Sequence, residues 1–208
     1  LTNEKLPLKM INKTQKLLTF SYLKMMEGQF LDIQYESKIN ISIPEYLRMI
    51  HLKTTTLLEC SIILGVLTSN FSDDSLKSKF SSLGKILGNI FQIRDDVLGI
   101  WGTDETGKPI GSDIKKKKKS LPIIHGLTHQ SSSISKKIHN FLSQEFISDF
   151  EVNHVIDILN EAGSKTYCQE LIKEYWSEGE KIIDDLNISN SFKNDFQELG
   201  TYLSGRHS

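Results

Sequence analysis

The chain has 208 residues, a formal net charge of −1 and 38% hydrophobic residues, which is typical of a soluble globular protein. Its length is enough for one well-buried domain, and no apolar run in it reaches the length of a membrane-spanning helix. Two distant cysteines, Cys60 and Cys168, show no metal-ligand spacing; they indicate a reducing compartment and predict a cytoplasmic protein.

Helical spacing recurs along the chain, whereas strand-like alternation is hard to find. The first predicted helix covers residues 9–35 and carries apolar residues at intervals of three and four. These residues are Met10, Leu17, Leu18, Leu23, Met26, Phe30 and Ile33. The tetrad SIPE at residues 42–45 is a Ser-x-x-Glu capping box with proline in the first turn, and it predicts a second helix to about residue 67.

A third helix is predicted for residues 75–101, and a loop-rich segment follows it at residues 102–120. Turn signals such as SSS, EAGS and NISNS separate the later helical segments. Those segments are predicted at residues 121–130, 133–146, 151–161, 164–186 and 191–205. The pattern therefore predicts an all-α protein whose long helices share a core.

Two adjacent aspartates, Asp95 and Asp96, lie among apolar residues in the third predicted helix. A carboxylate is costly to bury unless a cation or a hydrogen-bond donor meets it. Gln92 and Gly99 fall on the same side of this helix, and a glycine there lets a ligand approach the backbone. One interpretation is an exposed acidic pair; the other is an oxygen-rich Mg²⁺ site that shares its ion with substrate phosphates.

Lys53 precedes three threonines, KTTT, in the interior of the second predicted helix. β-Branched residues are poor helix formers, and a local inconsistency of this kind is where functional sites are expected. Lys53 and Thr54 would offer one positive charge and one hydroxyl to a phosphate oxygen. The alternative interpretation is that the threonines simply pack against a neighbouring helix.

Two further stretches carry groups that bind metals or phosphates. The sequence GQFLD places Gln29 and Asp32 one helical turn apart, which alone is a weak signal. The sequence TGKPIGSDIKKKKK joins flexible glycines to Lys108 and to the lysines at 115–119, without the spacing of a nucleotide-binding P-loop. A lysine run is usually a solvated loop, and the usual functional alternative is a nucleic-acid patch; we expect no nucleic-acid partner.

Four segments in this order resemble the trans-isoprenyl diphosphate synthases (polyprenyl synthetases): GQFLD, KTTTLLECSIILG, GNIFQIRDDVLGIWG and TGKPIGSDIKKKKKSLP. The resemblance spans nearly the whole chain, and the pairing of FQxxDD with GKxxGxD is its most specific part. It implies an all-α isoprenoid-synthase fold around a deep central cavity, usually in a homodimer. It also implies head-to-tail transfer of an allylic prenyl group to isopentenyl diphosphate, through a carbocation that Mg²⁺ helps to form.

The resemblance also implies roles for individual residues. The implied metal ligands are Asp95, Asp96 and Asp32. The implied catalytic residues are Lys53, Thr54 and Gln92, of which the first two would hold the allylic diphosphate and steady the carbocation. The implied substrate-binding residues are Gln29, Lys53, Thr54, Gln92, Lys108 and Lys118. Asp113 would organise the loop that carries the two binding lysines.

The chain departs from the family pattern in two places. Gly99 stands where the second aspartate-rich motif has its third aspartate, so metal binding through this motif would rest on Asp95, with help from Asp96 or water. The family's first motif, DDxxD, lies about two helices before the GQ pair, and residues 1–28 contain no paired aspartates.

We therefore expect residues 1–208 to form one N-terminally incomplete polyprenyl synthetase-like domain, a fragment of an ordinary synthase that would be inactive alone. Three alternatives stay open within the family. They are a natural subunit whose partner supplies the other motif, a non-catalytic regulator, and a related cyclase that ionises a prenyl diphosphate. An unrelated helical adaptor with a nucleic-acid-binding lysine loop would need none of the implied site residues.

Overall fold

A computed structural model describes residues 7–38, 40–69, 73–103 and 107–205. Every regular element in these ranges is a helix, which confirms the all-α prediction. The α-helices are α1 (Leu8–Ser37), α2 (Ile43–Ile50), α3 (Thr56–Thr68), α4 (Asp74–Trp101), α5 (Ser112–Lys115), α6 (Leu121–Leu127), α7 (Ser132–Leu142), α8 (Asp149–Glu161), α9 (Ser164–Asp184) and α10 (Asn190–Ser204). A five-residue π-helical segment, His51–Thr55, joins α2 to α3 without a break.

Helix starts follow local capping chemistry. The predicted capping box before α2 is formed, because the Ser42 backbone N–H donates to Glu45 Oε2 at 2.9 Å and the Glu45 N–H donates to Ser42 Oγ at 3.3 Å. A second capping box, between Ser148 and Glu151, begins α8. The short helix α5 lies in the segment that was predicted to be loop-rich, where four residues are too few to show a helical period.

The chain divides into two compact units. Unit 1 comprises Leu1–Phe30, Ile50–Phe91 and Glu174–Ser208, and unit 2 comprises Leu31–Met49 and Gln92–Lys173. A core cluster of unit 1 consists of Ile63, Val66, Leu76, Phe80 and Leu186. A core cluster of unit 2 consists of Ile100, Ile114, Ile123, Ile134, Ile138, Ile147, Val152, Val155, Ile158, Leu159 and Ala162. The single domain over residues 1–208 stays a prediction.

Helix α1 confirms the first predicted helix, but four of the seven apolar residues predicted along it are exposed, while Leu17 packs against the unit 1 core. Exposed fractions are 55% for Leu23, 61% for Met26, 65% for Phe30 and 57% for Ile33. The buried positions of α1 instead recur every seven residues, and most of them are small or polar. They are Thr14, Ser21, Gly28 and Tyr35. The spacing of the apolar residues thus predicted the helix correctly. The buried side of α1 instead carries mostly small or polar residues, which let the backbone of a neighbouring segment approach closely.

The continuous helical stretch at residues 43–68 is long and apolar enough to meet the criterion for a membrane span, with a mean hydropathy of 1.4. The sequence had not predicted this, because no uninterrupted apolar run in the chain reaches the length of a membrane span. In the part of the chain that the structure describes, this is the one helix that qualifies, and 39% of its apolar window is buried. A single such helix is weak evidence for a span, since the core helices of soluble proteins meet the same criterion.

Candidate active site

Asp96 lies at the centre of a polar cluster in unit 2. Its Oδ2 accepts hydrogen bonds from the Tyr46 hydroxyl at 2.7 Å and from the Leu121 backbone N–H at 2.9 Å. Its Oδ1 accepts from Lys118 Nζ at 2.8 Å and from Gln92 Nε2 at 3.1 Å. The side chain is fully buried, and these donors compensate the loss of water around the carboxylate. Asp96 therefore holds the cluster together.

Tyr46 is the member of this cluster that sequence reasoning missed. It is almost completely buried, and burial together with the charge of Asp96 raises the pKa of its hydroxyl well above the usual range for tyrosine. The hydroxyl therefore stays protonated and donates to the carboxylate. A tyrosine 50 residues before Asp96 in the sequence carries no local signal of this contact.

Lys118 lies between three carboxylates of unit 2. Its Nζ is 2.8 Å from Asp96 Oδ1, 3.4 Å from Asp113 Oδ2 and 4.0 Å from Asp95 Oδ2. Burial alone would lower the pKa of Lys118, but the charges of Asp96 and Asp113 outweigh it and raise the pKa above the usual lysine value. Lys118 therefore stays protonated and carries a positive charge.

Asp95 has a different environment from its neighbour Asp96. About a third of its side chain is exposed (34%), and its Oδ1 pairs with Lys108 Nζ at 2.5 Å. Lys108 also donates to the Asp95 backbone carbonyl at 3.2 Å. The sequence predicted a metal ion over the aspartate pair; in the described residues the cations there are Lys108 and Lys118. Asp95 is the aspartate of the pair that a ligand can reach.

The donor set fits Mg²⁺ better than a metal that needs a full protein cage. Among the described residues, no group of three or more His, Cys, Asp and Glu side chains is arranged to hold a metal. Mg²⁺ usually keeps several waters and takes only one or two carboxylates together with substrate phosphates. Asp95 offers one such carboxylate. The oxygens of Asp96 are already occupied, so its predicted role as a ligand is not favoured by this geometry.

Lys53 and Thr54 lie half-buried in the π-helical segment of unit 1. The helix is irregular here, which the sequence did not predict: the Thr56 hydroxyl and its backbone N–H both donate to the His51 carbonyl, five residues earlier. Single π-helical turns inside α-helices are frequent at functional sites. A Cβ on Gly28 would lie 2.2 Å from the Lys53 backbone nitrogen, so only glycine lets α1 come this close.

The predicted site residues are therefore distributed over both units. Unit 1 contains Gln29, Lys53 and Thr54. Unit 2 contains Asp32, Gln92, Asp95, Asp96, Lys108 and Lys118, and the last five of these form the cluster described above. Gln29 is exposed on α1, and Asp32 is half-buried on the same helix.

Three of the five lysines at residues 115–119 form ion pairs or hydrogen bonds, whereas most of the run was expected to be a solvated loop. Lys115 pairs with Asp149, Lys117 donates to the Gln144 carbonyl, and Lys118 belongs to the aspartate cluster. These contacts hold the segment after α5 against the rest of unit 2. Lys117 and Lys118 are partly buried, whereas the Lys115–Asp149 ion pair is exposed.

The all-α fold and a carboxylate–lysine cluster define a candidate diphosphate-binding protein, and comparison with known proteins identifies its family. The family profile of the polyprenyl synthetases matches residues 5–159, and the chain belongs to this family. The geranylgeranyl diphosphate synthase of Saccharolobus solfataricus is 33% identical over 165 residues, which are 79% of this chain and 49% of that protein. The (2E,6E)-farnesyl diphosphate synthase of Mycobacterium bovis is 27% identical over 190 residues, 89% of this chain and 52% of that protein.

Solved structures show the same fold. A geranylgeranyl pyrophosphate synthetase from Pyrococcus horikoshii superposes with a TM-score of 0.87 at 27% identity, covering 98% of this chain and 61% of that one. A geranylgeranyl pyrophosphate synthase from Corynebacterium glutamicum, described as complexed with isoprenyl diphosphate and magnesium, superposes with a TM-score of 0.88 at 23% identity, covering 97% and 57%. The chain spans about half the length of the curated relatives it matches.

Proposed function

We propose that this chain takes part in prenyl transfer, the head-to-tail condensation of isopentenyl diphosphate with an allylic diphosphate through a Mg²⁺-assisted carbocation. The observation that carries the proposal is the pairing of a reachable carboxylate, Asp95, with two cations, Lys108 and Lys118, over one face of α4. Its relatives are named as synthases of geranylgeranyl and farnesyl diphosphate, which supports this substrate class.

In the proposed site, Asp95 holds the metal, and Lys108 and Lys118 bind diphosphate oxygens. When bound, Mg²⁺ would supply Lewis-acid stabilisation of the departing diphosphate. Lys108 and Lys118 contribute fixed positive charge where negative charge develops on the leaving group. Asp96, held by Tyr46, positions the Lys118 ammonium and so fixes where that charge lies.

The remaining assignments are part of the same proposal. Lys53 and Thr54 bind the allylic diphosphate and steady the carbocation, and their place in a π-helical segment supports this role. Gln29 and Asp32 line the site, with Asp32 near the metal, and Gln92 helps to position the substrate through Asp96. A cytoplasmic location stays a prediction.

We propose further that the chain forms a homodimer through α1. Its exposed stripe of large apolar side chains, including Met26 and Phe30, is the kind of surface that marks a protein–protein contact. An isologous dimer would place the same stripe of each copy against the other. The alternative is a second subunit that covers this stripe and supplies the first aspartate-rich motif, for which residues 1–28 contain no paired aspartates.

The proposed substrate binding is tested by titrating the chain with a farnesyl thiodiphosphate, an allylic analogue that ionises very slowly, in the presence and absence of Mg²⁺. We expect binding that requires Mg²⁺ and that is lost in Asp95→Asn. The matched control is Asp149→Asn, which removes an exposed ion pair in the same unit and should leave binding unchanged. The proposal would be contradicted if binding did not require Mg²⁺ and was unchanged in the Asp95→Asn variant.

A further inference from the structure

The turn between α7 and α8 carries two phenylalanines that face solvent. Exposed fractions are 77% for Phe146 and 82% for Phe150, the highest of any large hydrophobic side chain among the residues that the structure describes. Single apolar side chains on a surface are normal, but two phenylalanines this exposed within five residues form an apolar patch. Such a patch indicates a surface that binds another molecule.

The fold holds this turn in place. Ile147 is 3% exposed and belongs to the same core cluster as Val152, and the two occupy the positions of a hydrophobic staple around the start of α8. The Ser148 backbone N–H donates to Glu151 Oε2 at 2.8 Å, and the Glu151 N–H donates to Ser148 Oγ at 3.4 Å. Because the staple and the capping box anchor the turn, its two phenylalanines are held outwards.

The lysine run lies against the same turn. Lys115 pairs with Asp149, the residue before the second phenylalanine. Lys117 Nζ lies 3.2 Å from the backbone carbonyl of Glu145, the residue before the first one. Lys116, between these two lysines, is exposed. None of the three lysines belongs to the proposed substrate site, so their placement beside the phenylalanines needs a separate explanation.

Exposed aromatic rings next to lysines fit the surface of an anionic bilayer. The boundary between lipid headgroups and acyl chains accepts protruding phenylalanine rings, and anionic headgroups attract lysines. An acidic protein would satisfy the lysines but would need an apolar recess shaped for both rings. The carboxylates of Glu145 and Asp149 offset part of the positive charge, so binding would depend on the rings as well as on the lysines.

We propose that Phe146, Phe150 and the lysines at 115–117 form a surface that binds an anionic phospholipid bilayer. Both rings insert at the interface, and the lysines lie among the headgroups. This binding is peripheral and requires no membrane-spanning helix. The inference goes beyond the proposed function and does not depend on it, because it uses no residue of the proposed substrate site.

The test is co-sedimentation of the chain with vesicles of phosphatidylcholine alone and of phosphatidylcholine with roughly one third phosphatidylserine. We expect binding to the anionic vesicles only. Phe146→Ser and Phe150→Ser should each weaken it by about tenfold, and Lys116→Ala by about twofold to fivefold. Asp149→Asn removes a carboxylate from the surface and should strengthen binding. The matched control is Phe192→Ser in α10, a phenylalanine that is 59% exposed, which should leave binding unchanged.

Three results would overturn the inference. They are no binding of the unaltered chain to anionic vesicles, equal binding to neutral vesicles, and unchanged binding of a Phe146→Ser/Phe150→Ser variant that thermal unfolding shows to be folded. If vesicles are not bound and the double variant changes the species seen in sedimentation velocity, the surface is a contact between copies of the chain and the lipid assignment is wrong. None of these results affects the titration with the thiodiphosphate, so the two proposals can fail separately.

Discussion

Replacing Tyr46 with phenylalanine removes one donor from Asp96 and leaves the ring in place. The lost bond is 2.7 Å long, buried, and made to a charged group, and such bonds contribute about 1.5 to 3 kcal/mol. Because Leu121 N–H still donates to the same oxygen at 2.9 Å, we expect the lower part of that range, about 2 kcal/mol. For a chain of 208 residues this corresponds to a melting temperature lower by roughly 4 to 8 °C.

The assay is urea unfolding at neutral pH followed by circular dichroism. Tyr22→Phe is the matched control, since that tyrosine is 51% exposed and its loss should change the free energy of unfolding by less than about 0.5 kcal/mol. A double-mutant cycle with Asp96→Asn isolates the pair, and the effect of Tyr46→Phe should shrink in that background. An unchanged unfolding free energy in Tyr46→Phe would refute the view that this hydroxyl supports a buried carboxylate.

Three further predictions concern packing, pH and assembly. Gly200→Ala should lower the free energy of unfolding by about 1 to 3 kcal/mol in thermal unfolding, because its Cβ would lie 1.8 Å from the Trp176 ring; an unchanged stability would mean that Gly200 of α10 does not lie against Trp176. Hydrogen bonds from the Ser148 side chain and backbone lower the pKa of Glu151 below its ordinary value of 4.5, so its contribution is present above that pH and lost as the pH falls further. Unfolding midpoints of Glu151→Gln and the unaltered chain should therefore differ at pH 7 and converge near pH 3, and a constant difference would contradict this. Phe30→Glu, on the exposed stripe of α1, should shift the species seen in sedimentation velocity from dimer to monomer, and an unaltered dimer would exclude this face as the interface.

Local chemistry made the helices and their starts predictable. The Ser-x-x-Glu box at Ser42 depends on four consecutive residues, and it forms as the sequence predicts. The unfavourable threonines after Lys53 marked the place of a candidate functional site, and the structure has its π-helical segment there. Both features arise from contacts within about one helical turn, and a single sequence contains all the information that such contacts need.

Contacts between distant segments were not predictable in the same way. Asp95 and Asp96 look equivalent in sequence, yet consecutive helical positions are turned by about 100° from each other, so that one is buried and the other half-exposed. Apolar periodicity alone did not show that four of the seven apolar residues predicted along α1 are exposed, while Gly28 is buried against the backbone of Lys53. Likewise, only the folded structure shows that the Asp113 carboxylate lies beside Gly99.

The most direct test of the central claim is a crystal structure of the chain with Mn²⁺ and inorganic pyrophosphate, measured for anomalous scattering. We expect a manganese peak within coordination distance of the Asp95 carboxylate, with the Lys108 and Lys118 ammonium groups turned onto pyrophosphate oxygens and Asp96 still held by Tyr46. If Lys108 stayed paired with Asp95 and the metal and pyrophosphate bound elsewhere or not at all, Asp95 would not be the metal ligand of a diphosphate site.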